Sequence, residues 1–195
     1  MIKIERTSVM NLENAIRGAR NPLNSWDRMD SAYDEEGNYV LGENDLGLAK
    51  RLANAGSDHR KFLRQIFVSV DITAPLYWWK EFDTYKVGTV ANSCSTMHKI
   101  QERPFEYSDF SCEHLLDSDN SQNAMLRAQL FDKNFDDEYA FPTDILNYTI
   151  RMLNKCRDIY NVTGDKRYWW QMIQLLPSSY NQKRTVMLNY EVLAN

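Results

Sequence analysis

The sequence predicts an α/β domain of the α+β type, in which a mainly antiparallel sheet is flanked by helices. The strongest strand signal lies at 66–72, where Ile66, Val68, Val70 and Ile72 alternate with other side chains, as in a strand with one buried face. Three segments beyond it carry apolar residues at helical spacing. We expect these helices near 76–86, 144–160 and 183–194. A single domain over residues 1–195 would hold all of them.

Two helices are predicted before the main strand. The segments are, in order, a short strand at 1–8, a helix at 10–19, a polar loop at 31–44 and a helix at 43–55. Asn21-Pro22 ends the first helix, because proline cannot continue one. Gly56 stands at the C-cap position of the second helix, where glycine is favoured.

Four further segments follow the main strand. They are a helix that starts at Pro75, a polar connection at 102–124, a helix at 143–160 and a short helix at 167–176. The helix at 143–160 has the clearest apolar stripe, made of Ile145, Tyr148, Met152, Cys156 and Ile159. A final helix is predicted from Gln182 onward, since Val186, Tyr190 and Leu193 recur at helical spacing.

Composition excludes several classes of protein. Apolar residues make up 43% of the 195 residues and charged residues 26%, which is ordinary for a globular protein. The net charge of −4 gives no overall field that attracts nucleic acid. The sequence has no apolar run of the ~20 residues that span a bilayer, and its N-terminal residues do not resemble a signal peptide. Three cysteines are too few for a disulfide framework, so we expect reduced thiols and a cytoplasmic protein.

Several common site motifs are absent. The sequence contains neither a dinucleotide-binding GxGxxG nor a phosphate-binding P-loop. Cys94, His98, Cys112 and His114 do not have the spacing of a zinc site, so no metal is expected. The aromatic clusters at 77–79 and 168–170 leave two interpretations open, namely core anchors or a stacking wall for a planar ligand.

The segment around the main strand resembles the flavin-dependent thymidylate synthase family. His59-Arg60-Lys61-Phe62 precedes the strand and Thr73-Ala74-Pro75 follows it. Residues 84–98 then resemble the family signature RHRxxSxNExSxRY. In this comparison Lys86 stands at the third position and Thr89 at the first serine. After one inserted residue, Asn92 and Ser95 match the asparagine and the second serine.

Two other stretches resemble the same family. Leu176-Pro177 and the segment containing Asn189 are similar to the ARxxLP block and the helix after it. Ala19-Arg20 is similar to the end of the family's first helix. The resemblance implies the family's fold, FAD as cofactor, and a reaction in which a one-carbon unit from a folate methylates deoxyuridylate (dUMP).

The departures from the signature concern its arginines. Thr84, Met97 and Ile173 stand where the family has arginine, Tyr85 where it has histidine, and Ser93 where it has an acidic residue. Each charge-assisted hydrogen bond is worth about 1.5–3 kcal/mol, so two lost contacts to phosphate would cost about 3–6 kcal/mol. Lys86, Lys99 and Arg184 could replace part of this binding, although lysine lacks the bidentate geometry of arginine.

The resemblance implies a site in which polar side chains bind cofactor and substrate. The expected cofactor-binding residues are Lys86, Thr89, Asn92 and Asn189. The expected substrate-binding residues are Ser93, Ser95 and Arg184. No protein nucleophile is needed, because the cofactors carry the chemistry, so no catalytic residue is assigned. The same polar residues could instead only satisfy loop and cap backbone groups.

Three functions remain open, one of which is a purely structural oligomeric module. Another is a divergent enzyme that binds a pyrimidine nucleotide, FAD and a folate. The third is a non-catalytic binding protein of the same fold, which holds a nucleotide or a protein partner and would suit a phage-encoded or anti-defence role. Because family members share their active site between subunits, we expect a homo-oligomer, with a tetramer favoured and Trp78 or Trp169 near an interface.

Overall fold

The computed structural model describes residues 2–85, 87–117 and 141–194. These residues form two compact units. Unit 1 comprises residues 1–2, 73–80 and 94–182, and unit 2 comprises residues 3–72, 81–93 and 183–195. The single domain expected over residues 1–195 stays a prediction.

A four-stranded sheet has the strand order β1-β4-β6-β5. Its strands are β1 (Lys3–Met10), β4 (Phe67–Pro75), β6 (Asn181–Asn189) and β5 (Val90–Ser93). The last two are antiparallel, with Val90 opposite Met187 and Ser93 opposite Arg184. In β4 the predicted alternation is present, since Val68, Val70 and Ile72 are all buried. The predicted fold class is thereby confirmed.

In unit 2, two helices pack with the turn before β4. They are α1 (Leu12–Ala19) and α2 (Glu43–Asn54), and the turn is a 3-10 segment over Arg60–Gln65. Their shared core contains Ala15, Ile16, Phe62, Leu63 and Ile66. The predicted loop at 31–44 includes a short antiparallel hairpin of β2 (Ala32–Tyr33) and β3 (Tyr39–Val40).

A buried ion pair joins the end of α1 to α2. Arg20 and Asp45 have side chains only 4% and 0% exposed, and Arg20 Nε donates to Asp45 Oδ1 at 2.7 Å. Ser31 donates to the other carboxylate oxygen through both its amide and its hydroxyl. Arg20 also donates to the backbone oxygen of Ser25. The pair therefore has the hydrogen bonds that make burial of two charges tolerable.

Unit 1 is built around two helices. They are α4 (Pro142–Thr163) and α5 (Lys166–Leu175). The core of this unit contains Ile100, Phe105, Phe110, Leu146, Leu153, Cys156 and Met172. Trp79 of α3 (Leu76–Phe82) is 1% exposed, and its indole N–H donates to the backbone oxygen of Gln182. The aromatic residue thus serves as a core anchor, one of the two interpretations that the sequence left open.

The predicted final helix is wrong over most of its length. Residues 183–189 belong to strand β6, and only α6 (Tyr190–Ala194) is helical. Gln182, Val186 and Leu188 are buried while Met187 is 42% exposed, which is the alternation of a strand. Pairing with β5 and β4 satisfies the backbone of this segment and overrides its helical spacing.

Two other helix predictions need correction in detail. The helix expected at 76–86 ends at Phe82, so that Tyr85 lies beyond it and is 52% exposed. The long helix is present and Cys156 of its predicted stripe is buried, but Leu146 and Leu153 are buried as well, whereas Ile145 and Tyr148 are exposed. The spacing of apolar residues predicts a helix, but it does not show which side of the helix packs against other elements.

The connection at 102–124 is described as far as residue 117, where it holds a 3-10 turn over Tyr107–Asp109. Among the described residues, every helix is too short or too polar to cross a bilayer.

Candidate functional site

The turn before β5 packs against the end of β6. We call residues 87–89 the Gly88 turn. Gly88 has a φ of 72°, and a Cβ atom on it would lie 2.4 Å from Asn189 Nδ2. Only glycine fits such a position, because it tolerates positive φ and allows close backbone approach. The Gly88 turn and Asn189 are therefore in close contact.

The side chain of Asn189 makes one hydrogen bond and one close packing contact. Its side chain is 7% exposed, and its Oδ1 accepts from the amide of Val192 at 3.0 Å, which caps the start of α6. Its Nδ2 faces Gly88 and has no acceptor among the described residues. Asn189 therefore lies at the end of a strand instead of on a helix, and it presents an amide donor beside the turn.

Thr89 supplies a second polar group at the turn. Its Oγ1 is buried and has no hydrogen-bond partner in the part of the chain that the structure describes. A buried hydroxyl without a partner costs about 1–3 kcal/mol. Such a group is a natural contact for a ligand, since binding would satisfy it.

Strand β5 arranges Asn92 and Ser93 on opposite faces of the sheet. Asn92 lies opposite Thr185, and Ser93 lies opposite Arg184. Because directly paired residues project to the same side of a sheet, Asn92 shares its face with Thr185. Ser93 shares the other face with Arg184. The expected cofactor-binding and substrate-binding residues of this strand are thus separated by the sheet.

The guanidinium of Arg184 is engaged by an acidic residue. Its Nη1 donates to Asp83 Oδ1 at 2.7 Å, and its side chain is 15% exposed. An arginine held in this way has less positive charge to offer a phosphate. The contact with Asp83 was not apparent from the sequence, since 101 positions separate the two residues.

Two predicted site residues remain, Ser95 and Lys86. One belongs to unit 1, and the other is not among the described residues. Ser95 belongs to unit 1, where its hydroxyl accepts from the amides of Met97 and His98 and contacts His98 Nδ1 at 2.7 Å. Those bonds are the loop-capping alternative that the sequence left open. Lys86 lies outside the described residues, so its predicted role stays a prediction.

A polar cluster that the sequence analysis missed lies on the Asn92 face of the sheet. Thr185 Oγ1 donates to Asp71 Oδ1 at 2.6 Å, and Lys183 Nζ lies 3.1 Å from Asp71 Oδ2. The hydrogen bond from Thr185 and the nearby ammonium of Lys183 lower the pKa of Asp71 below its ordinary value. Glu5 on β1 also contacts Lys183 at 3.7 Å. A carboxylate inside the best strand was the signal that could have indicated this cluster.

A cavity of about 340 Å³ lies beside the turn that precedes β4. Its polar lining residues are Asp58, His59, Lys61 and Gln65. The sequence analysis had noted the segment 59–62 only as part of the resemblance. In the fold this segment lies beside the end of α1, because Phe62 and Ala19 pack in the same hydrophobic core.

The residues of the Gly88 turn fit the polar edge of a flavin or pyrimidine ring. The unpartnered hydroxyl of Thr89 and the Nδ2 of Asn189 match the hydrogen-bonding groups of such a ring. The absence of a Cβ at Gly88 lets the Asn189 side chain lie directly against the backbone of the turn. In unit 2, therefore, the turn offers hydrogen-bonding groups to the edge of a ring.

Comparison with known proteins supports the fold. No protein-family model matches the sequence, and no curated protein does so either. Solved structures do match: thymidylate synthase X (ThyX) of Helicobacter pylori with FAD and dUMP aligns at 16% identity and a TM-score of 0.63. That alignment covers 99% of this chain and 80% of the other.

A second solved structure gives a similar match. The UMP/dUMP methylase PolB of Streptomyces cacaoi, bound with 5-Br UMP, aligns at 13% identity and a TM-score of 0.57. The alignment covers 99% of this chain and 73% of that protein. The resemblance seen in two short sequence blocks is thus confirmed at the level of the fold.

Proposed function

We propose that this protein binds a pyrimidine nucleotide together with FAD, with the Gly88 turn and Asn189 contacting the planar ligand. The observation that carries the proposal is the pair of polar groups at the Gly88 turn, the Thr89 hydroxyl and the Asn189 Nδ2, which have no hydrogen-bond partner among the described residues. Solved proteins of this fold support it, since ThyX was crystallised with FAD and dUMP.

The chain's own residues would divide the binding between ring and phosphate. Thr89 and Asn189 hydrogen-bond to ring atoms, and Asn92 adds a neutral amide on one sheet face. Lys86 supplies positive charge to a phosphate. Arg184 supplies less, because its guanidinium is already paired with Asp83. Ser93 shares the opposite face of the sheet with Arg184, so its hydroxyl would not contact a ring held by Asn92.

Once reduced by an external two-electron donor, bound FAD would supply the hydride that converts a folate-derived carbon into the methyl group of the product of dUMP. Under this proposal the protein orients the two rings and excludes water. It needs no nucleophilic side chain. Cys94, Cys112 and Cys156 are free thiols, in agreement with the proposed cytoplasmic location.

One contact favours a second candidate, a binding protein of this fold without turnover. The Asp83–Arg184 ion pair neutralises a cation that substrate phosphate would otherwise use. A nucleotide or a protein partner could still bind, while the charge needed to hold the substrate anion for reaction would be reduced.

An absorbance spectrum tests the proposal directly. The protein is incubated with FAD, passed through a desalting column and scanned over the visible bands of flavin. We expect retained yellow flavin in near-stoichiometric amount. A colourless protein would contradict the flavin part of the proposal. If flavin is retained, release of the C5 hydrogen from labelled dUMP in the presence of methylene folate and a reductant for the flavin separates the enzyme from the binding protein.

Calorimetry on two variants tests the placement of the ligand. Lys86→Ala should weaken binding of dUMP or FAD by about 1.5–3 kcal/mol, because it removes a charge-assisted contact. Asn92→Ala should cost about 1 kcal/mol, as expected for a neutral hydrogen bond. Lys3→Ala, an exposed lysine on β1, is the matched control and should change nothing. If Lys86→Ala has no effect on a wild type that binds, the ligand lies elsewhere.

A further inference from the structure

A second cavity in unit 2 is lined by three arginines. Its volume is about 430 Å³, enough for a small organic molecule. The lining residues are Arg20, Leu23, Ser25, Arg28, Glu43, Asn44, Gly47, Leu48 and Arg51. None of them belongs to the Gly88 turn or to strands β5 and β6.

Arg20 gives this cavity a rigid wall. Its side chain is 4% exposed and is held by Asp45 and by the backbone oxygen of Ser25. Ser25 itself lines the cavity. Because Asp45 already balances the charge of Arg20, this arginine forms part of the cavity wall and adds little net positive charge.

The other two arginines supply the net charge. Among the described residues, neither Arg28 nor Arg51 has an acidic side chain within ion-pair distance. A Cβ on Gly47 would lie 3.6 Å from Arg51 Nη1, so the Arg51 guanidinium extends along the wall formed by Gly47. Glu43 is the one acidic residue among the lining residues. Two unpaired cations against one carboxylate leave an excess of positive charge.

The start of α2 is not the source of this anion preference. The amides of Asn44 and Asp45 both donate to the carboxylate of Asp30, at 2.8 and 3.0 Å. Those backbone donors are already satisfied, so the guanidinium groups must provide the attraction. Leu23 and Leu48 add apolar surface beside them, which suits the carbon body of a ligand.

We propose that this cavity binds a small phosphomonoester, with Arg28 and Arg51 holding the phosphate and the leucine side contacting its organic part. Arginine is favoured for this role, because its planar donors match phosphate oxygens in pairs. The site is separate from the proposed FAD and nucleotide site, so either can be present without the other.

Calorimetric titration with ribose 5-phosphate tests the proposal, with ribose and inorganic phosphate as comparison probes. We expect saturable binding of ribose 5-phosphate, weaker binding of inorganic phosphate and none of ribose. Arg28→Gln and Arg51→Gln should each weaken the affinity by about ten- to a hundredfold, the range for a charge-assisted contact. Equal affinity for phosphate and ribose 5-phosphate would show that only the anion is recognised and would overturn the assignment of an organic body.

Two further variants and one further measurement make the outcome decisive. Arg17→Gln changes an exposed arginine on α1 outside the cavity lining and should leave the affinity unchanged. Gly47→Leu keeps every charge but fills the cavity, and it should abolish binding while the fold is retained. FAD and dUMP binding should not change in Arg28→Gln or Arg51→Gln. No binding of ribose 5-phosphate to wild type, or equal weakening by Arg17→Gln, would overturn the proposal.

Discussion

At Gly88, one residue without a side chain decides how closely two segments can approach. Its φ of 72° and the 2.4 Å distance that a Cβ would make with Asn189 Nδ2 are independent constraints. The first disfavours any L-residue, and the second leaves no room for one. The contact between this turn and the end of β6 depends on both.

Gly88→Ala is therefore expected to destabilise the protein more than a glycine substitution limited by φ alone. Gly37 is the matched control, because its φ is 82° and no atom lies within 4 Å of its Cβ position. We expect Gly37→Ala to cost about 1 kcal/mol, and Gly88→Ala about 1–3 kcal/mol more from overpacking. Urea unfolding measures both. Equal losses would show that the contact with Asn189 is easily relieved.

The buried Arg20–Asp45 ion pair is a second case in which single side chains have a large effect on the stability of the fold. Burial raises the pKa of Asp45, but hydrogen bonds from Ser31 and Arg20 outweigh it, so that the net pKa is lowered. A carboxyl whose folded pKa is lowered contributes stability above its unfolded pKa and loses that contribution as the pH falls.

We expect Asp45→Asn to cost about 3–5 kcal/mol near pH 7, because it leaves a buried guanidinium without its counter-charge. Below about pH 4 the wild type should lose the Asp45 contribution, and the difference between the two proteins should shrink. Asp27→Asn, at an exposed carboxyl, is the control. Unfolding free energies measured from pH 7 to pH 3 check this. A constant difference over that range would contradict it.

At the scale of elements, the apolar residues around β6 have helical spacing, but hydrogen bonding to the neighbouring strands makes the segment a strand. Val186, Tyr190 and Leu193 have helical spacing, yet residues 181–189 form a strand between β4 and β5. An isolated segment of this length gains little from helical propensity, whereas two neighbouring strands satisfy its backbone on both sides. The signal that favours a strand was the alternation of Gln182, Val186 and Leu188.

That alternation predicts alternating mutational costs along β6. Val186 is 0% exposed and Met187 is 42% exposed. Val186→Ala should lower the free energy of unfolding by about 2 kcal/mol, counting two methyl groups and a partial cavity. Met187→Ala should cost less than about 1 kcal/mol. Chemical denaturation of the two variants provides the comparison, and similar costs would argue against the strand register.

Helix α4 shows the opposite relation, since its position followed from the sequence, whereas of its predicted stripe Cys156 is buried and Ile145 and Tyr148 are exposed. The predicted stripe included Ile145 and Tyr148, which the structure leaves 57% and 43% exposed. The buried side is supplied by Leu146 and Leu153, which pack in the core of unit 1. Apolar residues recur on more than one side of this helix, so the choice of face required the partner elements.

At the scale of the whole molecule, the exposed apolar residues of α4 bear on assembly. Surfaces with several large apolar side chains are common at interfaces between subunits. We expect a homo-oligomer in solution, with a tetramer favoured and with Trp78 or Trp169 near an interface. Light scattering at micromolar concentration should report a multiple of the 22.9 kDa chain mass. A monomer would contradict this expectation.

The sequence by itself determined the fold class, the strand at β4 and most helices, because apolar periodicity is a local property of the chain. It also indicated the family whose fold the structure shares, through short blocks around 84–98 and 176–177. The tertiary structure alone decided that 181–189 is a strand. It also decided that Asp83 holds Arg184, and that Asn189 reaches Gly88. These features join residues far apart in the chain, and such contacts depend on how the elements pack instead of on local patterns.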